Sequence, residues 1–175
     1  RFTAWHEAGH ALVNVMLKHT HPLHKVTIIP RGQALGATMY LPKEDILNRG
    51  RKEMLDLITV TMGGRIAEEI VSGDYSTGAA GDIQQATQLA RAMVCNFGMS
   101  DKLGMVQYGE ESEYIFLGRD MVRGKDYSER TAQDIDGEVK RIIDESYQQA
   151  RDLIYGNREK LELIQLPLDA KKPLL

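Results

Sequence analysis

The sequence predicts a mainly helical α+β domain with one small β-hairpin, and three observations carry that prediction. Leu, Ile, Val and Met recur at three- and four-residue steps over most of the chain, aromatic residues make up only 6% of it, and one β-branched stretch is confined between Pro22 and Pro42. With 175 residues, 42% of them hydrophobic, and 22 Lys+Arg against 25 Asp+Glu, the composition is that of one globular domain and excludes disorder or a collagen-like fibre. A net charge of −3 lacks the basic excess of a dedicated nucleic-acid binder. No window approaches the ~20 consecutive apolar residues that cross a bilayer. The single cysteine, Cys95, cannot form an intrachain disulfide, fits a reducing compartment and rules out Cys-x-x-Cys zinc sites. The chain opens at Arg1 almost inside a helical pattern and without a methionine, so it reads as a piece of a longer protein.

Residues 3 to about 18 are helix-compatible, with Ala4, Ala8, Leu12, Val15 and Met16 on one broad stripe. Residues 21–41 read as a hairpin or short meander, in which Val26, Ile28 and Met39 flank the turn Pro30-Arg31-Gly32. After Asn48-Arg49-Gly50, Met54, Leu55, Ile58, Met62, Ile66 and Ile70 keep helical period until Gly73 closes the second helix. That helix contains Gly63-Gly64, and each glycine costs ~1 kcal/mol against alanine, so something must pack closely there. A glycine-rich loop over 72–81 leads to Asp82, expected to cap a third helix carrying Ile83, Ala86, Leu89, Ala90 and Val94 and ending at Gly98. Residues 99–127, with Gly104, Gly109, Gly118 and Gly124 and the acidic Glu110, Glu111 and Glu113, read as loops with a short strand or turn. Ser128 starts the longest helix, with Ile135, Val139, Ile142, Ile143, Ala150 and Leu153 inward. Gly156-Asn157 separates it from a last helix over about 158–166. Residues 1–166 form one domain on this reading, and 167–175 an irregular tail.

His6-Glu7-Ala8-Gly9-His10 is an H-E-x-x-H string inside the first helix. Positions four apart differ by only ~40° around a helix, so both imidazoles face one shared ion. Glu7 is one step round from His6, placed to act on water beside a metal without ligating it. Composition alone would produce such a string in about one shuffled chain per hundred, and its place in a helix lowers that chance further. Gly9 leaves room near the ion for a neighbouring backbone.

A catalytic zinc takes three protein ligands and keeps one open position, and no short spacing supplies the third. The metzincin extension needs Gly and His where Val13 and Met16 stand. Three groups compete: His19, His21 and His24 soon after the helix, Glu68 and Glu69 on the second helix, and Asp82 after the glycine-rich loop. Two other patterns are dismissed. The stretch from Gly118 to Lys125 lacks P-loop spacing and has Asp126 where Ser or Thr is needed, and Ser76 has Asp74 where Gly-x-Ser-x-Gly needs its first glycine.

The ordered motifs go beyond the zinc string. They include Lys25-Val26-Thr27-Ile28-Ile29-Pro30-Arg31-Gly32 with Leu35-Gly36, Met62-Gly63-Gly64-Arg65-Ile66-Ala67-Glu68-Glu69, and Ser76-Thr77-Gly78-Ala79 leading to Asp82-Ile83. Ala86-Thr87, Ala90-Arg91-Ala92-Met93-Val94, the segment from Phe97 to Gly104 and Phe116-Leu117-Gly118-Arg119 follow in order. Over about residues 4–165 the chain resembles the proteolytic domain of the FtsH-type membrane-anchored AAA+ zinc metalloproteases.

The resemblance implies a helical zincin-type peptidase that binds Zn2+ through His6, His10 and Asp82. It implies Glu7 as catalytic base, Glu68 as a carboxylate orienting a zinc histidine, and Leu35, Gly36, Ala37 and Thr38 as the edge strand on which an extended substrate lies. It further implies unfolded polypeptide substrates, a homo-hexameric ring, and ATP-dependent proteolysis in protein quality control. An upstream AAA+ ATPase domain, which would use ATP and Mg2+, and transmembrane segments would lie outside these residues. The longer protein is expected in a bacterial plasma membrane or organelle equivalent, with this domain on the cytoplasmic or matrix side. Ala80-Gly81 replaces the commoner Ser-Asn before the aspartate, and the chain after Ile164 departs from the usual ending.

Overall fold

A computed structural model describes residues 2–29, 36–40, 48–109 and 126–169. The turn Pro30-Arg31-Gly32, Leu35, the acidic Glu110, Glu111 and Glu113, and the tail from 170 onward lie outside the described residues. The chain runs through α1 (Phe2–Met16), β1 (Leu23–Thr27), β2 (Ala37–Tyr40), α2 (Arg51–Ser72), one turn of 3-10 helix (Thr77–Ala79), α3 (Ala80–Cys95), α4 (Glu129–Gly156) and α5 (Arg158–Asp169). The mainly helical class with one hairpin is therefore as expected. β1 and β2 pair antiparallel, Val26 opposite Thr38 and Thr27 opposite Ala37, with an irregularity between Leu23 and Lys25.

Helix α1 differs from the expected stripe. Every residue from Glu7 to Asn14 is buried, while Val15 and Met16, expected inward, are exposed. The reason is its position: α2, α4, α5 and the hairpin all pack against α1, so its middle is enclosed all round and only its last turn reaches solvent. Polar groups enclosed with it find partners. Asn14 donates from Nδ2 to the His21 carbonyl (2.9 Å), and the Thr20 hydroxyl donates to the Asn14 carbonyl (2.7 Å).

The two glycines of α2 answer to this enclosure. A Cβ on Gly9 would overlap the Gly63 carbonyl oxygen, and a Cβ on Gly63 would stand 2.6 Å from the Gly9 carbonyl oxygen. Backbone thus meets backbone where α1 and α2 cross. Around the crossing, Ala4, Ala8, Leu12, Ile58, Ile66, Met93, Val94, Ile135 and Leu161 close a single apolar core.

Helix α3 begins at Ala80, two residues before the expected cap. The Ser76 side chain caps the preceding 3-10 turn, accepting from Gly78 N at 3.1 Å, and the chain continues from that turn into α3. Asp82 therefore lies in the first turn of the helix, where a carboxylate is favoured by the helix dipole. Ile83, expected inward, is exposed, because the buried face is Ala86, Ala90, Met93 and Val94. Ser128 caps α4 as expected, accepting from Thr131 N. Ile154 rather than Leu153 takes the last inward place, continuing the buried row Ile142, Ser146, Ala150. On that row Glu138 accepts from the Ser100 hydroxyl (2.5 Å) and from Arg141 Nε (2.9 Å), which ties the turn after α3 to α4. Helix α5 runs to Asp169 through Pro167, past the expected end at 166, because Leu161 and Leu168 hold one face of it in the core. The Pro167 ring costs a hydrogen bond to the carbonyl of Leu163, whose side chain faces solvent.

Gly63→Ala is expected to destabilise the fold by about 1–3 kcal/mol through overpacking against the Gly9 backbone. Gly137→Ala, on α4 with no atom near its Cβ position, is expected to stabilise by roughly 0.5–1 kcal/mol. Urea unfolding of both variants measures the opposite signs.

Candidate metal centre

The crossing at Gly9 and Gly63 sets α1 and α2 antiparallel and in fixed register. Val60, Gly64 and Glu68, spaced four apart, form the stripe of α2 that faces the two histidines of α1. His6 Nδ1 lies 2.9 Å from Glu68 Oε1, and His10 Nδ1 lies 2.8 Å from the Val60 carbonyl oxygen. Gly64 lies between them, and a Cβ there would come within 2.6 Å of both Nε2 atoms. The close packing expected at Gly63-Gly64 thus has two parts, a backbone crossing and the space in which the imidazoles turn.

A carbonyl oxygen can only accept, so His10 Nδ1 carries the proton, and the carboxylate of Glu68 assigns the same tautomer to His6. Both Nε2 atoms then present lone pairs. They stand 3.0 Å apart, and Asp82 Oδ2 joins them at 3.1 Å from His6 and 3.4 Å from His10. A tetrahedral zinc with bonds of about 2.0–2.1 Å spaces its ligand atoms about 3.3 Å apart, so three electron-pair donors already occupy such a face. Among the described residues, His6, His10 and Asp82 are the group whose ligand atoms fall within 4.8 Å of one another. The donor set fits zinc: two imidazole nitrogens and one carboxylate, with room for a fourth partner.

The charges point the same way. Burial alone would lower the pKa of His6, but hydrogen bonding and charge from Asp82, with the charges of Glu68 and Glu7, outweigh it and the net shift is upward. Burial would raise Asp82, yet the His10 and His6 imidazoles beside it hold its carboxyl well below the usual range. Burial, with the charges of Glu7 and Asp82, pushes the Tyr40 phenol upward. These groups surround a place where positive charge is stabilised.

Of the other two candidate groups for the third ligand, Glu68 meets His6 at Nδ1 and the rest lie apart from the converging atoms. His19 and His24 are exposed, His21 Nε2 lies 3.4 Å from Glu53 Oε1, and Glu69 accepts from the Tyr147 hydroxyl at 3.1 Å. Glu7 is 6% exposed and its Oε2 accepts from the Thr38 hydroxyl at 2.5 Å. Of the expected substrate strand, Gly36 lies against the Glu7 carboxylate, Ala37 and Thr38 belong to β2, and Leu35 is outside the described residues. Ser76, dismissed as a nucleophile, has another place: its backbone N and hydroxyl both donate to Glu68 Oε2, at 3.2 and 3.0 Å. The sequence signal for it was a serine just ahead of the aspartate loop, eight residues after a buried glutamate.

Residues 1–171 match the sequence profile of peptidase family M41. Relatives include "ATP-dependent zinc metalloprotease FtsH 2" of Methylacidiphilum infernorum, 54% identical over 93% of this chain and 25% of its own length. Proteins named ATP-dependent zinc metalloprotease FtsH from Akkermansia muciniphila (52%, over 94% of this chain and 20% of the relative) and Caldicellulosiruptor bescii (48%, over 99% and 28%) match similarly. The chain spans about a quarter of the length of these relatives.

Ser76→Ala removes one of the two hydrogen bonds that Ser76 gives to Glu68 Oε2, on the carboxylate that holds His6, and is expected to weaken zinc affinity by up to about tenfold. Gly64→Ala, which drives a methyl into both imidazoles, is expected to weaken it further. Competition against a chromogenic chelator measures both, with circular dichroism as the check on folding.

Proposed function

The chain belongs to peptidase family M41, and from that premise we propose that it is the zinc-dependent endopeptidase domain of a longer ATP-dependent protease, cutting unfolded polypeptides. The observation that carries this reading is the convergence of His6 Nε2, His10 Nε2 and Asp82 Oδ2 at 3.0–3.4 Å beside the buried carboxylate of Glu7. His6, His10 and Asp82 are the ligands. Glu68 fixes the ring and tautomer of His6, and Ser76 fixes Glu68. When bound, zinc supplies a Lewis acid for the scissile carbonyl and brings the pKa of water to about 7.

Glu7 accepts the proton of the attacking water at its carboxylate and passes it to the leaving amine nitrogen. It is suited to both steps because it is buried and is not itself a ligand. The substrate lies extended along β2, pairing its backbone with the edge that β1 leaves open, around Gly36, Ala37 and Thr38. An edge strand reads only extended chain, so a folded substrate must first lose a stability of about 5–15 kcal/mol.

In the longer protein an upstream AAA+ ATPase supplies that work, the domains assemble as a homo-hexameric ring, and transmembrane segments anchor the ring to a bacterial plasma membrane or organelle equivalent. The ATP dependence printed in the relatives' names supports the ATPase part of this reading. The peptidase domain takes in α5 to Asp169, three residues past the expected boundary at 166, and among the described residues no helix is long and apolar enough to cross a membrane.

Glu7→Gln is expected to keep zinc and fold while losing proteolysis by at least about 10²-fold. Metal analysis alongside a peptide-cleavage assay checks it, and normal turnover in the zinc-replete variant would remove Glu7 as the base. This chain is also expected to digest a destabilised mutant protein but spare its stable parent, with or without ATP, and a gel assay with a zinc chelator as control reads that difference.

A further inference from the structure

We infer that Thr38 is a positioning residue for Glu7, and that through it β2 couples the seating of an extended peptide to the alignment of the general base. The inference rests on the reading of Glu7 as base and of β2 as substrate edge given above, and goes beyond it in assigning what holds the base.

The Glu7 carboxylate is hydrogen-bonded to the hairpin at one oxygen and packed against it at the other. Oε2 accepts from the Thr38 hydroxyl at 2.5 Å, and Oε1 lies under Gly36, where a Cβ would come within 2.7 Å of it and 2.9 Å of Glu7 Cγ. Helix α1 fixes the Cα of Glu7, but a glutamate side chain keeps several rotamers unless something outside the helix selects one. Here that selection comes from β2. A hydroxyl has one proton to give, and that of Thr38 points inward to Glu7, so the side chain is not available as a donor to substrate. The sequence grouped Thr38 with the residues that touch substrate; its hydrogen bond gives it a different role.

The coupling follows from how the sheet is built. β2 pairs with β1 alone among the described residues and both strands pack on α1, so β2 joins the edge where a third strand would add to the helix that carries Glu7. A peptide that adds as a third strand hydrogen-bonds to the backbone of β2 and so steadies the strand whose Thr38 holds the carboxylate. Binding energy from parts of the substrate remote from the scissile bond is then expressed in kcat, not only in KM.

The test compares zinc-loaded wild type, Thr38→Val, Thr38→Ser and Glu7→Gln on two substrates sharing one scissile bond. One is long enough to pair along β2 and the other is truncated to its immediate neighbours. Thr38→Val keeps the side-chain volume and removes the donor. It is expected to retain zinc affinity and melting temperature and to lower kcat on the long peptide at least about tenfold. KM should stay within about twofold, and the ratio of kcat between long and short peptides should shrink. Thr38→Ser restores the hydroxyl and recovers most of both. Wild-type kcat and length ratio in Thr38→Val, a loss confined to KM, a loss of zinc, or failure of Thr38→Ser to rescue would each overturn the inference. Failure of the underlying reading looks different: zinc removal or Glu7→Gln would leave wild-type cleavage unchanged.

Discussion

The backbone contact between Gly9 and Gly63 is the constraint on which the rest of the structure depends. Two helices cross here without side chains between them, and that one contact fixes both their separation and their register. Once Gly9 meets Gly63, the next residue of α2 leaves space for the imidazoles, the carbonyl of Val60 reaches His10, and the carboxylate of Glu68 reaches His6. A larger residue at either position would push the helices apart and separate these partners together. The helix propensity lost at two glycines, ~1 kcal/mol each, is small beside what the close approach assembles.

Three carboxylates, Glu7, Glu68 and Asp82, lie close to two imidazoles in a largely enclosed place. Burying such charge is unfavourable unless every lone pair finds a partner. Most do: Glu68 takes His6, the Ser76 hydroxyl and the Ser76 backbone N, and Glu7 takes Thr38. The two Nε2 atoms and Asp82 Oδ2 face one another at 3.0–3.4 Å, and these are the atoms that converge. Three electron-pair donors at that spacing make a place for a cation.

How far the sequence could reveal this depended on how local each relation was. The pair His6 and His10 is legible because four residues make about one helical turn, and the cost of Gly63-Gly64 signalled close packing without saying against what. The end of α2 at Gly73 was equally local, and there the glycine adopts φ 69° as a helix terminator does. Asp82 is 72 positions from His10, so the residues alone left three groups in competition and only the resemblance singled it out. The start of α3 was missed because the Ser76-capped turn runs straight into it, and an Asp at a helix start looks like a cap by composition. The burial of α1 on all sides was hidden because small residues, Ala4, Ala8, Gly9 and Ala11, carry little hydrophobic signal yet are what allow neighbours to surround it. Ser76 and Thr38 act through partners far along the chain, which no periodicity records.

The three converging donor atoms come from two segments separated by the whole hairpin and all of α2, and that separation bears on self-digestion. On the reading of the chain as a peptidase for unfolded polypeptides, each copy would meet such a chain whenever a neighbouring copy loosens. Loosening would move α1 away from the start of α3 and scatter His6, His10 and Asp82, so that an ion they held would be released. A copy that became cleavable would thereby lose its own ability to cleave, while a metal held by intact copies would favour their folded form. The long separation in sequence between His10 and Asp82 makes disarming and unfolding the same event.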